Sequence, residues 1–218
     1  MKNHENLKAT APVTQTEPQQ ALERLREGNR RFTSGVRSVE PLLAHLKMRE
    51  LAEKGQKPFA IILTCSDSRS PVELIFDQGL GDLFVVRVAG NVVAPSLLAS
   101  MEFAVANFGS SAILVLGHSL CGAVKATIQH TQNPTQPLPS PHLEELVSRI
   151  RPAVEFTQAE RDIQADDFLH QATLANIQRS KKLILEQSRI IREKVESGEL
   201  ALEGALLDIS SGQVKFLG

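Results

Sequence analysis

The chain contains two cysteines, and both stand beside other residues able to do chemistry. The first opens Cys65-Ser66-Asp67-Ser68-Arg69 and the second closes His118-Ser119-Leu120-Cys121. Two thiolates and an imidazole are the donor set that zinc takes when a fourth position is left for water. Each residue alone has a plainer reading. A cysteine after an apolar run is most often a small buried hydrophobe, and a histidine at a strand end is most often a turn residue. A single disulfide is also open from composition alone. The neighbouring residues favour a metal: the cysteines lie in two polar loops, and His118 stands three residues from Cys121, a spacing common among metal ligands.

Other catalytic patterns fit less well. A phosphate-cradling cysteine loop needs an arginine six positions after its cysteine, whereas Arg69 lies four after Cys65, and Asp67 would repel phosphate. The chain carries no glycine-rich dinucleotide or nucleotide-phosphate loop.

Positioning these loops requires strands. Phe59 to Thr64 is a continuous apolar run bounded by Pro58 and a polar cluster, which fits a strand buried on both faces. Leu83–Val88 and Ala112–Leu116 repeat the pattern, ending in Ala89-Gly90-Asn91 and Gly117-His118. Helical spacing appears around Leu97–Phe108 and is expected again after Cys121. Strand, helix, strand, helix is the order of a parallel α/β sheet. Cys65 and His118 are then expected just past the carboxyl ends of two strands, where such sheets gather their sites.

The rest of the chain frames that sheet. The first 17 residues are polar and read as a disordered tail. One helix is expected from Pro18, ending near Ser34-Gly35, and a second from Leu42 to Lys54, stopping at Gly55. Residues 131–141 form a Pro-rich connection, and 142–196 are mostly long helix. Ala205–Ile209 and Val214–Leu217, on either side of Ser211-Gly212, read as a strand pair at a sheet edge. The expected fold class is α/β: a mostly parallel central sheet of four to five strands flanked by helices, with an N-terminal helical arm, as one domain over 18–218.

Composition narrows the partners. With 24 Lys and Arg against 25 Asp and Glu, the chain lacks the basic excess expected of a nucleic-acid or anionic-membrane binder. It has no Trp and no Tyr for base stacking. No stretch approaches bilayer-spanning length, and the N-terminus has no signal-peptide core. The expectation is a cytoplasmic protein, either free or enclosed in a larger protein compartment.

The motif pair resembles a known family. Cys-Ser-Asp-Ser-Arg at 65–69 and Gly-His-Ser-Leu-Cys-Gly at 117–122 are similar to the paired signature of β-class carbonic anhydrases. The similarity extends from Pro18 to Phe216 and takes in Phe-Val-Val-Arg at 84–87 and Ala-Gly-Asn at 89–91. It implies reversible hydration of carbon dioxide to bicarbonate and a proton, by attack of a zinc-bound hydroxide. Cys65, His118 and Cys121 would ligate the zinc. The family also implies a homodimer or higher homo-oligomer.

Given those ligands, Asp67 and Arg69 acquire catalytic roles. Two thiolates neutralise the dication, so its water should ionise less readily than at a three-histidine site, where the pKa is roughly 7. A carboxylate accepting a hydrogen bond would orient the nucleophile, and Arg69 would hold Asp67 off the metal through a bidentate pair. If that pair breaks, Asp67 becomes a fourth ligand and closes the site. The resemblance, on the plant-like branch, further implies a substrate pocket of Gln56, Phe84, Ala89, Phe103 and the Gly122 amide, with Phe103 in place of a tyrosine.

A second branch is inhibited by bicarbonate at a tryptophan–arginine–tyrosine pocket. Arg87 matches its arginine, but Ile62 stands at the tryptophan position, so no such inhibition is expected. Two other readings keep the ligands: hydrolysis of carbon disulfide or carbonyl sulfide, and a structural zinc with Asp67 as its fourth ligand.

Overall fold

The computed structural model describes residues 16–39 and 43–218; most of the expected N-terminal tail therefore lies outside the described residues. Five strands form one sheet: β1 (Ala60–Thr64), β2 (Leu83–Arg87), β3 (Ala112–His118), β4 (Ala201–Leu207) and β5 (Val214–Phe216). Their order is β2-β1-β3-β4-β5. The first four run parallel, and β5 pairs antiparallel with β4 at one edge. The expected sheet and its edge hairpin are both present.

Eight α-helices accompany the sheet among the described residues: α1 (Pro18–Ser34), α2 (Ala44–Lys54), α3 (Val72–Ile75), α4 (Pro95–Phe108), α5 (Gly122–Gln132), α6 (Pro141–Glu160), α7 (Phe168–Gln187) and α8 (Arg189–Glu196). Strand side chains alternate between the two faces, and the core divides accordingly. Ile62, Leu114 and Leu116 pack with Leu22 and Leu25 of α1 and Val72 and Ile75 of α3. Ile61, Leu63, Ile113 and Val115 pack with Met101 of α4, Ile177 and Ile184 of α7 and Ile191 of α8. Burial on both faces explains the unbroken apolar runs in the sequence. Each fully buried leucine or isoleucine contributes about 2 kcal/mol.

The topology also sets the location of the site. From β1 the chain goes to β2 on one side and then to β3 on the other. The carboxyl ends of β1 and β3 therefore flank the point where strand order reverses, which is where open α/β sheets form their ligand crevice.

The N-terminal helix is firmly attached. Asn29 Nδ2 donates to the carbonyls of Ile75 (3.1 Å) and Gly212 (2.9 Å), and its Oδ1 accepts from the Val214 N–H at 2.9 Å. A Cβ at Gly28 would fall 1.7 Å from the Phe76 carbonyl oxygen, so only glycine lets α1 come this close. Arg31 Nε reaches Asp77 Oδ2 at 2.6 Å, and Asp77 also accepts from the Ser38 N–H and hydroxyl.

Candidate metal centre

Cys65 follows β1 directly, His118 is the last residue of β3, and Cys121 caps the start of α5. The sequence reading set His118 just after the strand; the strand in fact runs two residues further than Leu116. Gly117, which reads as a turn signal, is there for packing. A Cβ at Gly117 would lie 2.7 Å from Ile177 Cδ1, so its absence lets α7 cross β3 at close range. Between the two ligands, Leu120 adopts φ 58° with its side chain 65% exposed. This left-handed residue, which costs about 1 kcal/mol, turns the chain so that Cys121 faces back toward His118.

One ligand atom from each of Cys65, His118 and Cys121 lies within 4.8 Å of the others, and all three residues are buried. A zinc with Zn–S near 2.3 Å in tetrahedral geometry would place its two sulfurs about 3.8 Å apart. The histidine is oriented for ligation. Its Nδ1 faces the Ser119 carbonyl at 2.9 Å; a carbonyl only accepts, so Nδ1 carries the proton. Nε2 is buried and has no hydrogen-bond partner. An orphaned ring nitrogen beside two thiol sulfurs is what a soft-ligand metal site requires.

The sulfurs are unequal without a metal. Cys65 is pushed down to about 4, chiefly by the Cys121 S–H and, against burial, by His118, the Gly90 N–H and the Asp67 N–H. The Gly90 N–H lies 3.3 Å from the Cys65 sulfur. Cys121 is held well above the ordinary thiol range, because it donates to the Cys65 thiolate and is itself buried. Burial would lower His118, but the Cys65 sulfur, the Ser119 carbonyl and Asp67 raise it on balance.

Asp67 stands beside the cluster, with Oδ2 3.9 Å from His118 Nε2. Arg69 grips both of its oxygens. That contact comes first among the causes that hold the Asp67 carboxyl far below the usual range. The loop is fixed from below by Arg87, a role the sequence did not reveal. Its Nε donates to the Cys65 carbonyl at 3.2 Å and its Nη2 to the Asp67 carbonyl at 2.7 Å. The Ser70 hydroxyl adds a bond to the same Asp67 carbonyl at 3.0 Å.

The five expected pocket residues separate into two groups. Ala89 begins the turn that donates to Cys65, and Gly122 follows Cys121; both are at the metal end. Gln56, Phe84 and Phe103 do not join them. Gln56 precedes β1, and Phe84 pairs with Ile61, four residues before Cys65, or about 13 Å along the strand. Phe103 and Phe84 both contact Phe108, at centroid distances of 5.5 and 5.8 Å. These aromatics gather at the far end of the sheet, with Phe103 53% exposed.

The two cysteines belong to an apolar cluster that includes Val92, with Val88 and Ala123 packed against it. Together, the doubly wound sheet and its Cys-His-Cys crevice define an α/β protein with a cluster of soft donors able to hold a metal ion beside an arginine-clamped carboxylate. Comparison with known proteins gives the family. A sequence model described as Carbonic anhydrase matches residues 60–214. Carbonic anhydrase 2 of Mycobacterium tuberculosis is 36% identical over 91% of this chain and 92% of its own length. The carbonic anhydrase of Mycolicibacterium smegmatis is 33% identical over the same shares. Among solved structures, the β-carbonic anhydrase CcaA superposes with a TM-score of 0.68 at 27% identity, covering 90% of this chain and 95% of that one. A tetrameric β-carbonic anhydrase of Sordaria macrospora gives 0.67 at 28% identity, covering 80% and 89%. The chain belongs to the carbonic anhydrase family, in its β-class.

Proposed function

We propose that this protein catalyses the zinc-dependent, reversible hydration of carbon dioxide to bicarbonate and a proton. The observation that carries the reading is the convergence of Cys65, His118 and Cys121, with the partnerless His118 Nε2, beside a carboxylate that is not itself one of the cluster. When bound there, zinc supplies the Lewis acidity that makes water a nucleophile near neutral pH.

The chain's own residues then do the positioning. Asp67, kept ionised by Arg69, can only accept a hydrogen bond. It therefore takes the proton-bearing side of the reacting water and turns the free lone pair toward the substrate carbon. Arg69 keeps Asp67 from swinging onto the metal, which would leave no position for water. Arg87 holds the carbonyls of Cys65 and Asp67 and so ties a ligand and the orienting carboxylate to one anchor. Val88, Val92 and Ala123 provide the apolar wall that a small apolar substrate favours, and the Gly122 amide is the candidate donor to a substrate oxygen.

Gln56, Phe84 and Phe103 cannot line their own chain's site from the far end of the sheet. In a homodimer they line the site of the second copy, which makes the assembly part of the catalytic unit. Arg87 already spends donors on two backbone carbonyls and Ile62 is fully buried in the core. We therefore expect no slow bicarbonate inhibition of the Trp–Arg–Tyr type.

Metal analysis and stopped-flow carbon dioxide hydration on the purified protein test this reading. About one zinc per chain with turnover well above buffer supports it. One zinc per chain with no hydration refutes it. Sulfide release from carbon disulfide or carbonyl sulfide in that case would transfer the same site to a different substrate. In a cobalt-substituted sample, a visible spectrum that ignores pH would indicate a closed, structural metal.

A further inference from the structure

The turn at Ala89–Asn91, which donates to Cys65, is held from α7. Asn176 Nδ2 donates to the Gly90 carbonyl at 2.8 Å, and the Ser180 hydroxyl donates to the Asn91 carbonyl at 3.0 Å. Beside these contacts lies a cavity of about 100 Å³, lined by Val93, Arg149, Asn176, Arg179, Ser180 and Leu183 among others. Arg149 of α6 and Arg179 of α7 both line it, and no carboxylate is among its lining residues.

Arg149 is partly satisfied: one Nη donates to the Val93 carbonyl at 2.8 Å and the other to Glu145, which stands outside the cavity. Arg179 is not. Its Nε is buried without a hydrogen-bond partner, and the side chain forms no ion pair with any carboxylate among the described residues. A buried donor nitrogen left unpaired is costly, and an acceptor reaching the Arg179 Nε beside Arg149 relieves that cost.

We propose that this cavity is a binding site for a small oxyanion, separate from the metal centre and bridging α6 to α7 through Arg149 and Arg179. Two planar guanidiniums give the forked donor geometry that oxyanions match, and the cavity volume suits an ion of phosphate or sulfate size. An ion there braces α7, whose Asn176 and Ser180 hold the turn that donates to the Cys65 sulfur.

The test uses the metal-loaded protein purified in phosphate-free buffer. Calorimetric titration with inorganic phosphate is compared across wild type, Arg179→Gln and Arg149→Gln. The expected result is saturable binding weakened about tenfold or more in either variant; phosphate binding at the metal would be common to all three proteins and drops out of the comparison. Wild-type crystals soaked in selenate provide a second readout that does not depend on the variants folding, with anomalous density expected between the two guanidiniums. Unchanged phosphate affinity in both variants overturns the assignment. So does the absence of density in the soak, or a carboxylate of a second copy occupying the cavity.

Discussion

Arg69 holds Asp67 by both carboxylate oxygens, with Nε 2.9 Å from Oδ1 and Nη2 2.8 Å from Oδ2. Its own backbone N–H adds a third contact to Oδ1 at 2.9 Å. The arginine is about half exposed, so the pair should add little to stability. Its value is positional. Arg69→Ala should lower kcat/KM for carbon dioxide hydration about a hundredfold while leaving the unfolding free energy nearly unchanged. Asp67→Asn should lose a similar factor, since an amide also presents a donor. Near-wild-type turnover in Arg69→Ala would show that the clamp is incidental.

Metal uptake should release protons in a pH-dependent number. Cys65 is pushed down and Cys121 is held up by donating to it, so before metal binds the two sulfurs are expected to carry one proton between them. Zinc binds thiolates and neutral imidazole. Above the raised pKa of His118, the released proton comes from Cys121 alone, so about one should appear per zinc. As pH falls through that pKa, His118 contributes and the count climbs toward about two. Zinc titration of the apoprotein in weakly buffered solution, followed by indicator dye, measures this. Uptake without proton release would mean that both sulfurs are ionised beforehand.

The α1 anchor should be acid-sensitive. Burial alone would raise Asp77, but Arg31 and the Ser38 N–H and hydroxyl overcome it and hold the carboxyl below its ordinary value. A depressed carboxyl contributes stability above the unfolded-state pKa, near 3.9, and loses it as pH falls through the folded-state value. Arg31→Ala should therefore cost about 1–3 kcal/mol at pH 7, and the gap to wild type should narrow below about pH 4. Urea unfolding at pH 7 and pH 3.5 decides the matter; a gap that stays constant between them would rule out the ionised pair as its source.

The sequence exposed the ligands clearly because the apolar runs of β1 and β3 stop where the polar loops begin, and the metal residues stand at those stops. Elements without such a contrast were harder to read. Residues 142–196 read as mostly long helix with no break located, yet α6 and α7 are separated by a turn in which Asp162 Oδ1 accepts the Gln164 N–H at 2.9 Å and Arg161 pairs with Asp167. Neither glycine nor proline marks that break. The start of β4 at Ala201 was masked by Glu203, whose charge is met by Lys181 from α7 at 3.2 Å. Arg87 was readable as a motif residue but not as the clamp on two carbonyls, since its partners lie 20 and 22 residues away. The separation of Phe84 from Cys65 depends on strand register, which no local pattern encodes.

That separation bears on how subunits could be mixed. Gln56 lies at one end of β1 and Cys65 follows the other end; if Gln56 and the aromatics serve the site of a second copy, as proposed above, each copy of a two-fold pair lends one end of its sheet to its neighbour. Two defective genes could then rescue one another. Cys121→Ser keeps a sound aromatic end but no metal, and Gln56→Ala keeps the metal but spoils its neighbour's pocket. Coexpressed, they would assemble mixed pairs with one intact site apiece, restoring on the order of a quarter of wild-type activity from two nearly inactive parents.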